Sequence, residues 1–291
     1  MNRLRQPSFY HSAFAFVTIA LGFCVLDPSA KGVAQAWAVA SRVFADAVSI
    51  VLAACPYVIG GALAASVVLR MPSTRWPATL ALAAFASGCD CGMNGFVDAL
   101  RRYPAPLAGA ALTWGAVCNP VALFATAAVL GPHALLARTI GGSIAAAAVA
   151  VLWWRAHDFV RKSGAGGACH AAGDISERVE RALRSLVPAS VVASIVLVVA
   201  PVGVREHINP LAAAVLGALI SPCSTADPVL ARALCITPAA QVAFVVAAQC
   251  VDVRQISLLA RTYGIRHALL AILSGAIGCA CAASIASMPQ R

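Results

Sequence analysis

Charged residues are scarce in this chain: they make up 11% of its 291 residues, whereas 61% are hydrophobic. Soluble domains carry about 25% charged residues, so a soluble globular protein is excluded, and the expected fold class is an all-α polytopic membrane protein. Aromatic residues are also few, which predicts close packing of helices through small side chains. The Walker A pattern G-x-x-x-x-G-K-[ST] is absent, which excludes ATP hydrolysis by that route, and no cofactor is expected.

The net charge of +10 comes mostly from residues in short hydrophilic breaks rather than in one patch. This distribution fits topology signals better than nucleic-acid binding. The expected partners are therefore membrane lipid, a small solute and a second copy of the chain, and the expected location is the cell inner membrane. Residues 11–26 follow Arg3 and Arg5 and fit an uncleaved first helix better than a signal peptide, because Pro28 spoils a small-x-small cleavage site.

Apolar stretches divide the chain into candidate membrane segments. They lie at 11–26, 45–69, 76–102, 104–130, 132–154, 182–204, 209–235, 237–263 and 265–287. The long hydrophilic segment 156–181 has a Gly/Ala-rich centre and predicts a flexible linker. The expected domains are an N-terminal helix with an interfacial segment (1–44), repeat one (45–155), the linker (156–181) and repeat two (182–291).

The two halves of the chain match each other at a constant offset. Cys89 and Cys223 are 134 residues apart, and the same offset relates "HALLA" at 133–137 to "HALLA" at 267–271. We therefore predict two internal repeats of about four segments each. Full crossing by all four segments would make the repeats parallel, and one re-entrant segment would make them inverted; the sequence leaves both open, as it does the orientation in the membrane.

Three apolar stretches are interrupted by polar or helix-breaking residues. The interruptions are "GCDCG" at 88–92, "CNP" at 118–120 and "SPCSTADP" at 221–228. A helix break in the membrane exposes backbone polar groups, which is tolerated only inside protein or along a water-filled path. Paired interrupted segments in the two halves of a chain are typical of transporter binding sites.

Four acidic residues fall in the interrupted or following stretches. Asp90 and Asp227 have no basic residue within four positions, and a carboxylate within the membrane is costly, so they are candidates for proton transfer or charge balance. Asp98 precedes Arg102 by one helical turn and is read as a structural pair. Asp252 lies two residues before Arg254, and for it local neutralisation and function stay equally open.

Cysteines cluster at the same interruptions. Cys89, Cys91, Cys118 and Cys223 are candidate soft ligands, and a Cys-x-Cys can present two thiolates to one ion. Other cysteines are read as small apolar packing residues: Cys24, Cys55, Cys169, Cys235, Cys279 and Cys281.

Polar and aromatic residues elsewhere have simpler interpretations. Asn119 either caps the half-helix that begins at Pro120 or faces a substrate. Its counterpart at the 134-residue offset is Val253, so the two sites are expected to differ chemically. Trp153 and Trp154 together are typical of a membrane interface.

The motifs "GCDCGMNGFVDALRR", "CNPVALFATAAVLG" and "SPCSTADPVLARAL" resemble those of a predicted permease family that includes the ArsP-type organoarsenical efflux permeases. The resemblance covers roughly residues 45–287. It implies two repeats with a cysteine-containing break in each, and efflux of trivalent, thiol-reactive organoarsenicals in some members. By motif match, Cys89, Cys91, Asn119, Pro120 and Cys223 carry over. This chain departs from the pattern in having Asp90 between the two cysteines.

The function expected from the sequence is an inner-membrane permease for a small thiol-reactive solute or a soft metal or metalloid species. The candidate substrate-binding residues are Cys89, Asp90, Cys91, Gly92, Asn94, Cys118, Asn119, Pro120, Cys223, Ser224, Thr225 and Asp227, and the candidate metal ligands are Cys89, Cys91 and Cys223. The alternative is a membrane thiol-disulfide electron-transfer protein, because "SPCSTADP" resembles the Pro-Cys segments of such reductases. Thiol labelling and gene neighbourhood distinguish the two.

Overall fold

The structure is a computed structural model that describes residues 30–70, 103–160, 175–199 and 208–289, together with the isolated positions 78, 81, 97 and 100. The described residues form helices joined by short turns, and no strand occurs among them. The helices are α1 (Ala30–Arg70), α2 (Ala105–Cys118), α3 (Pro120–Leu130), α4 (Pro132–Val160), α5 (Ile175–Val199), α6 (Pro210–Ile220), α7 (Asp227–Leu234), α8 (Pro238–Cys250), α9 (Val253–Tyr263) and α10 (Ile265–Ala286).

Within these ranges, five segments are long and apolar enough to cross a membrane. They are Trp37–Gly60, Ala105–Leu130, Pro132–Ala156, Pro238–Tyr263 and Ile265–Ala286. Four of them agree closely with the apolar stretches predicted at 104–130, 132–154, 237–263 and 265–287. Two of the five contain a helix boundary, because α2 is followed by α3 and α8 by α9 within one membrane length. The prediction of an all-helical membrane protein is confirmed.

Proline and side-chain caps set the starts of most of these helices. Pro120, Pro210 and Pro238 each occupy the first helical turn, where a missing N–H costs nothing. The preceding residue of each supplies a side-chain oxygen to the third residue on, as Asn209 does to the backbone N–H of Ala212 at 2.8 Å. Gly131 and Gly264 end α3 and α9 with φ of +89° and +94°, which side-chain-bearing residues rarely adopt.

Helices α4 and α10 form the centre of the fold, with α2 packed on α4 and α8 on both α10 and α6. Their backbones approach closely at Gly141 and Gly278. A Cβ atom added to Gly141 would lie 2.7 Å from the Gly278 carbonyl oxygen and 2.6 Å from the Ala282 Cβ. Small residues at this crossing therefore allow the contact, as the shortage of aromatic residues predicts.

Helix α1 pairs with α5 through a separate small cluster that contains Ala54, Val58, Leu186 and Cys223. Helix α1 runs without interruption through residues 44 and 45, where the sequence placed a boundary between an interfacial segment and repeat one. Helix α4 continues to Val160 and α5 begins at Ile175, so helix also extends into both ends of the predicted 156–181 linker. The centre of that segment lies outside the described residues.

The two neighbouring tryptophans on α4 have different environments. Trp154 is 70% exposed, as expected at a membrane surface. Trp153 is fully buried, and its indole N–H donates a hydrogen bond to the His267 carbonyl oxygen at 3.1 Å. The interfacial interpretation is therefore wrong for Trp153, because successive helical residues point in different directions and position 153 faces α10.

Candidate functional site

The polar segment between α6 and α7 is the centre of the candidate site. Helix α6 ends at Ile220, and residues 221–226 are not helical. The chain turns back at this point through hydrogen bonds from the backbone N–H groups of Ala226 and Asp227 to the Cys223 carbonyl oxygen, at 2.9 and 3.0 Å. The predicted facing segment, 88–92, lies outside the described residues, so its approach to residues 221–226 stays a prediction.

Asp227 is the first residue of α7 and has no solvent exposure. The Ser221 hydroxyl lies 3.0 Å from both carboxyl oxygens, and the Gln249 side-chain amide on α8 contacts Oδ2. Among the residues that the structure describes, its direct side-chain contacts are thus a hydroxyl and an amide rather than a cation. The Arg138 and Arg254 guanidinium groups are close enough for their charges to act on the Asp227 carboxyl.

Arg254 connects the 221–226 segment to α9. Its guanidinium donates hydrogen bonds to the carbonyl oxygens of Ser221 and Pro222, at 2.8 and 3.2 Å, and to Asp252 at 2.7 Å. Asp252 also caps α9 by accepting from the Arg254 backbone N–H at 3.0 Å. Of the two interpretations that the sequence left open for Asp252, local neutralisation by Arg254 is therefore the one that these contacts support.

The break between α2 and α3 is held by Asn119, which is fully buried. Its Oδ1 accepts from the Ala122 backbone N–H at 2.8 Å, and its Nδ2 donates to the Ala116 carbonyl oxygen at 3.3 Å. Both ends of the amide are thus engaged with the backbone on either side of the break. Asn119 acts as a helix cap in this conformation, and Pro120 starts α3.

Arg138 on α4 is a residue of this region that the sequence reasoning missed. It is fully buried, and its Nε donates to the Val117 carbonyl oxygen at 2.8 Å, a group that the helix break leaves without a helical partner. Its Nη1 donates to the Thr126 hydroxyl at 2.7 Å. The signal was present, because an arginine inside the apolar 132–154 stretch is as costly as an acid, but only acidic residues were considered.

The second broken span contains a cap like that of Asn119. Asp252 begins α9 as Asn119 begins α3, each with its side-chain oxygen on a backbone N–H two or three residues on. The 134-residue offset pairs Asn119 with Val253, whereas the helix ends pair Asn119 with Asp252, because the loop preceding α9 is one residue longer. An acceptor side chain therefore occupies both breaks, and the expected chemical difference reduces to amide against carboxylate.

Cys223 lies in the non-helical segment, almost fully buried against Ala54 and Val58 of α1 and Leu186 of α5. Its sulfur is 3.3 Å from the Thr225 hydroxyl oxygen. Ser224 is fully buried, and Thr225 is half-buried. Thus Cys223, Ser224, Thr225 and Asp227 are brought together within one turn of chain.

Cys118 lies in a different part of the core from Cys223. Its sulfur faces the Thr139 carbonyl oxygen at 3.8 Å, and it packs in a cluster that also contains Cys250 and Cys279. Cys235 and Cys279 are buried and Cys55 and Cys281 half-buried, in agreement with packing roles. Cys24 and Cys169 lie outside the described residues.

The other predicted ligands fall in the part of the chain that is not described: Cys89, Asp90, Cys91, Gly92 and Asn94. Within the described ranges, no three His, Cys, Asp or Glu side chains are grouped so that they could hold a metal ion. The metal site proposed from Cys89, Cys91 and Cys223 therefore depends on residues whose positions the structure does not give.

Two buried glutamine side chains carry polar atoms without a hydrogen-bond partner. They are the Gln249 Oε1 atom and both amide atoms of Gln255. Gln249 has no solvent exposure, and Gln255 only 4%. Because a buried polar atom without a partner is costly, these amides mark positions where a further ligand would be stabilised.

Comparison of the chain with protein-family models, with curated proteins and with solved structures found no match.

Proposed function

We propose that this protein is a membrane permease whose substrate path runs past the break at residues 221–226. The observation that carries the proposal is Asp227, a carboxyl group with no solvent exposure at a helix break, in a chain with several helices of membrane length. Such a group is costly in a purely structural position and is by default a functional one. A helix break beside it supplies free backbone groups that can replace the hydration of a solute.

The arrangement of the helices supports two repeats around this path. The broken spans Ala105–Leu130 and Pro238–Tyr263 begin 133 residues apart, and so do the glycines at their ends, Gly131 and Gly264. Gly142 faces Val117 and Cys118 at the first break, and Gly275 faces Cys250 and Val251 at the second, again 133 residues apart. A common helix pattern of this kind is typical of transporters with internal repeats.

The proposed substrate is a small thiol-reactive species, with trivalent organoarsenicals first and soft metal ions second. Cys223 sits in the non-helical segment four residues before Asp227 and offers the soft sulfur ligand that such centres prefer. The resemblance to the permeases that include ArsP-type exporters leads to the same class of substrate. Cys89 and Cys91 complete the proposed ligand set.

The test uses everted inner-membrane vesicles from a bacterial host that lacks its own arsenic exporters. The vesicles receive phenylarsine oxide or, in a parallel arm, cadmium ion, and accumulated arsenic or cadmium is measured by elemental mass spectrometry. We expect energy-dependent accumulation of arsenic with the wild-type protein. Cys223→Ser should lose most of it, because a hydroxyl is a poor ligand for a soft centre, whereas Cys281→Ser in α10 should match wild type.

Accumulation of neither probe would contradict the proposed substrate class. Equal transport by Cys223→Ser and wild type, at equal protein levels, would contradict the role of the thiol. Labelling of free thiols in oxidised and reduced membranes adds a check on the electron-transfer alternative. A Cys223 thiol that is labelled in both conditions and protected by phenylarsine oxide supports the permease, and a thiol that is labelled only after reduction supports the alternative.

A further inference from the structure

Asp227, Ser221 and Gln249 surround one another without any water-filled space at the carboxyl group. Three different parts of the fold supply them: Ser221 follows α6, Asp227 begins α7, and Gln249 lies in the last turn of α8. All three are buried, with exposures of 0% for Asp227 and Gln249 and 3% for Ser221. The Ser221 hydroxyl lies 3.0 Å from each carboxyl oxygen, so it stands astride the carboxyl group.

The Gln249 amide gives a second, independent indication of a ligand. Its Nε2 contacts Asp227, while its Oε1 is buried and has no hydrogen-bond partner. The amide nitrogen and oxygen have nearly the same shape, so a half-turn of the amide exchanges their positions. After that turn a carbonyl oxygen, rather than an N–H group, faces the carboxyl group.

We propose that Asp227, Ser221 and Gln249 form a binding site for one monovalent cation, either a proton or a sodium ion, that couples transport to an ion gradient. The proposal rests on the permease function for its role in transport, but not for the binding itself. The shared chemistry is one positive charge delivered to a buried carboxylate. Coupling ions in transporters bind in this setting, at the carbonyl end of a half-helix near unwound backbone.

The amide turn makes the site suited to both states. Without the cation, the carboxylate accepts from the Ser221 hydroxyl and the Gln249 N–H. When a proton arrives from water, it forms a bond to one carboxylate oxygen, the negative charge disappears, and the turned amide accepts the new O–H at Oε1. A sodium ion would instead be held by the carboxylate, the Ser221 hydroxyl oxygen and Gln249 Oε1, without any covalent change.

Other charged and titratable groups around Asp227 have partners of their own. Arg138, from α4, is bonded to Val117 and Thr126 at the first break. Arg254, from α9, is paired with Asp252 and bonded to the Ser221 and Pro222 carbonyl oxygens. Cys223 is the remaining titratable group that acts on the carboxyl. Both arginines therefore attract the carboxylate from a distance, while the direct position on the carboxyl group belongs to the cation.

The binding test needs no transported substrate. Full-length protein is reconstituted in liposomes and measured by infrared difference spectroscopy in two arms, a pH step in sodium-free choline buffer and a choline-to-sodium exchange at constant pH. A carboxylic-acid C=O band that appears on acidification indicates the proton. A shift of the carboxylate stretching bands on sodium addition indicates the metal ion. We expect one of these signals in wild type and its loss in Asp227→Asn, which keeps the size and hydrogen-bonding capacity of the side chain.

Matched variants keep the result interpretable. Asp46→Asn, a half-buried acid on α1 away from the break, should retain the wild-type signal. Gln249→Leu removes Oε1 and should shift the midpoint of the titration, and it serves as the deciding variant if Asp227→Asn does not reach the membrane. Identical difference spectra for wild type, Asp227→Asn and Gln249→Leu in both arms would overturn the proposal. A cation signal without phenylarsine oxide transport would refute the substrate class alone, and transport without the signal would refute this site alone.

Discussion

The close approach of α4 and α10 leads to the sharpest stability prediction, which is that Gly141→Ala destabilises the protein. The added Cβ would lie 2.7 Å from the Gly278 carbonyl oxygen and 2.6 Å from the Ala282 Cβ. The carbonyl and the first carbon of a side chain cannot rotate away, so the two helices must separate. Overpacking of this kind costs about 1–3 kcal/mol, and alanine recovers roughly 0.5–1 kcal/mol of helix propensity.

A matched variant isolates the packing cost. Gly60 is exposed on α1, and a Cβ added there meets no atom within 4 Å. Gly60→Ala should therefore stabilise by roughly 0.5–1 kcal/mol, through helix propensity alone. Because the propensity gain is common to both variants, their free energies of unfolding should differ by about 1–3 kcal/mol, the overpacking cost itself.

The measurement is unfolding in mixed micelles by increasing sodium dodecyl sulfate, followed by tryptophan fluorescence. Both variants are compared with wild type at equal protein and detergent concentrations. If Gly141→Ala were as stable as Gly60→Ala, the two helices would not touch at Gly141, and the central packing described above would be incorrect.

Further predictions concern the helix breaks. Asn119→Ala should cost about 1 kcal/mol or more in unfolding free energy, and more than Asn209→Ala, because water can replace the exposed Asn209 cap but not the buried one; surfactant unfolding of both variants decides. Asn119→Asp keeps the acceptor to Ala122 and should retain more thermal stability than Asn119→Ala, which a melting comparison checks. Arg138→Met should leave the Val117 carbonyl without its donor and raise the rate of proteolysis between α2 and α3, whereas Arg138→Lys should rescue part of the protection; equal cleavage of all three proteins would contradict the role of Arg138.

Local chemistry explains why the helix boundaries followed from the sequence. The starts of α3, α6 and α8 depend on proline preceded by a capping residue, and these are interactions between residues at most three positions apart. The apolar stretches predicted at 104–130 and 237–263 therefore agree with the spans found. The lengths of those stretches were sufficient because lipid requires about 20 apolar residues for a crossing.

The partners of the buried polar groups did not follow from the sequence. Arg138 meets Val117 across 21 positions, and Asp227 meets Gln249 across 22. Neither pairing has a periodic signature, because each arises where separate helices pack side by side. The same reason explains Trp153, whose burial depends on which face of α4 meets α10.

The sequence by itself determined the membrane class, the spans and the positions of the breaks, since composition and nearest-neighbour chemistry are local properties. Only the tertiary structure decided that Asn119 is a cap, that Asp252 is paired with Arg254, and that Asp227 lies between a hydroxyl and an amide. Those outcomes depend on distances between helices. A buried polar group takes whichever donor or acceptor the packing brings within reach, and the packing is a property of the whole chain.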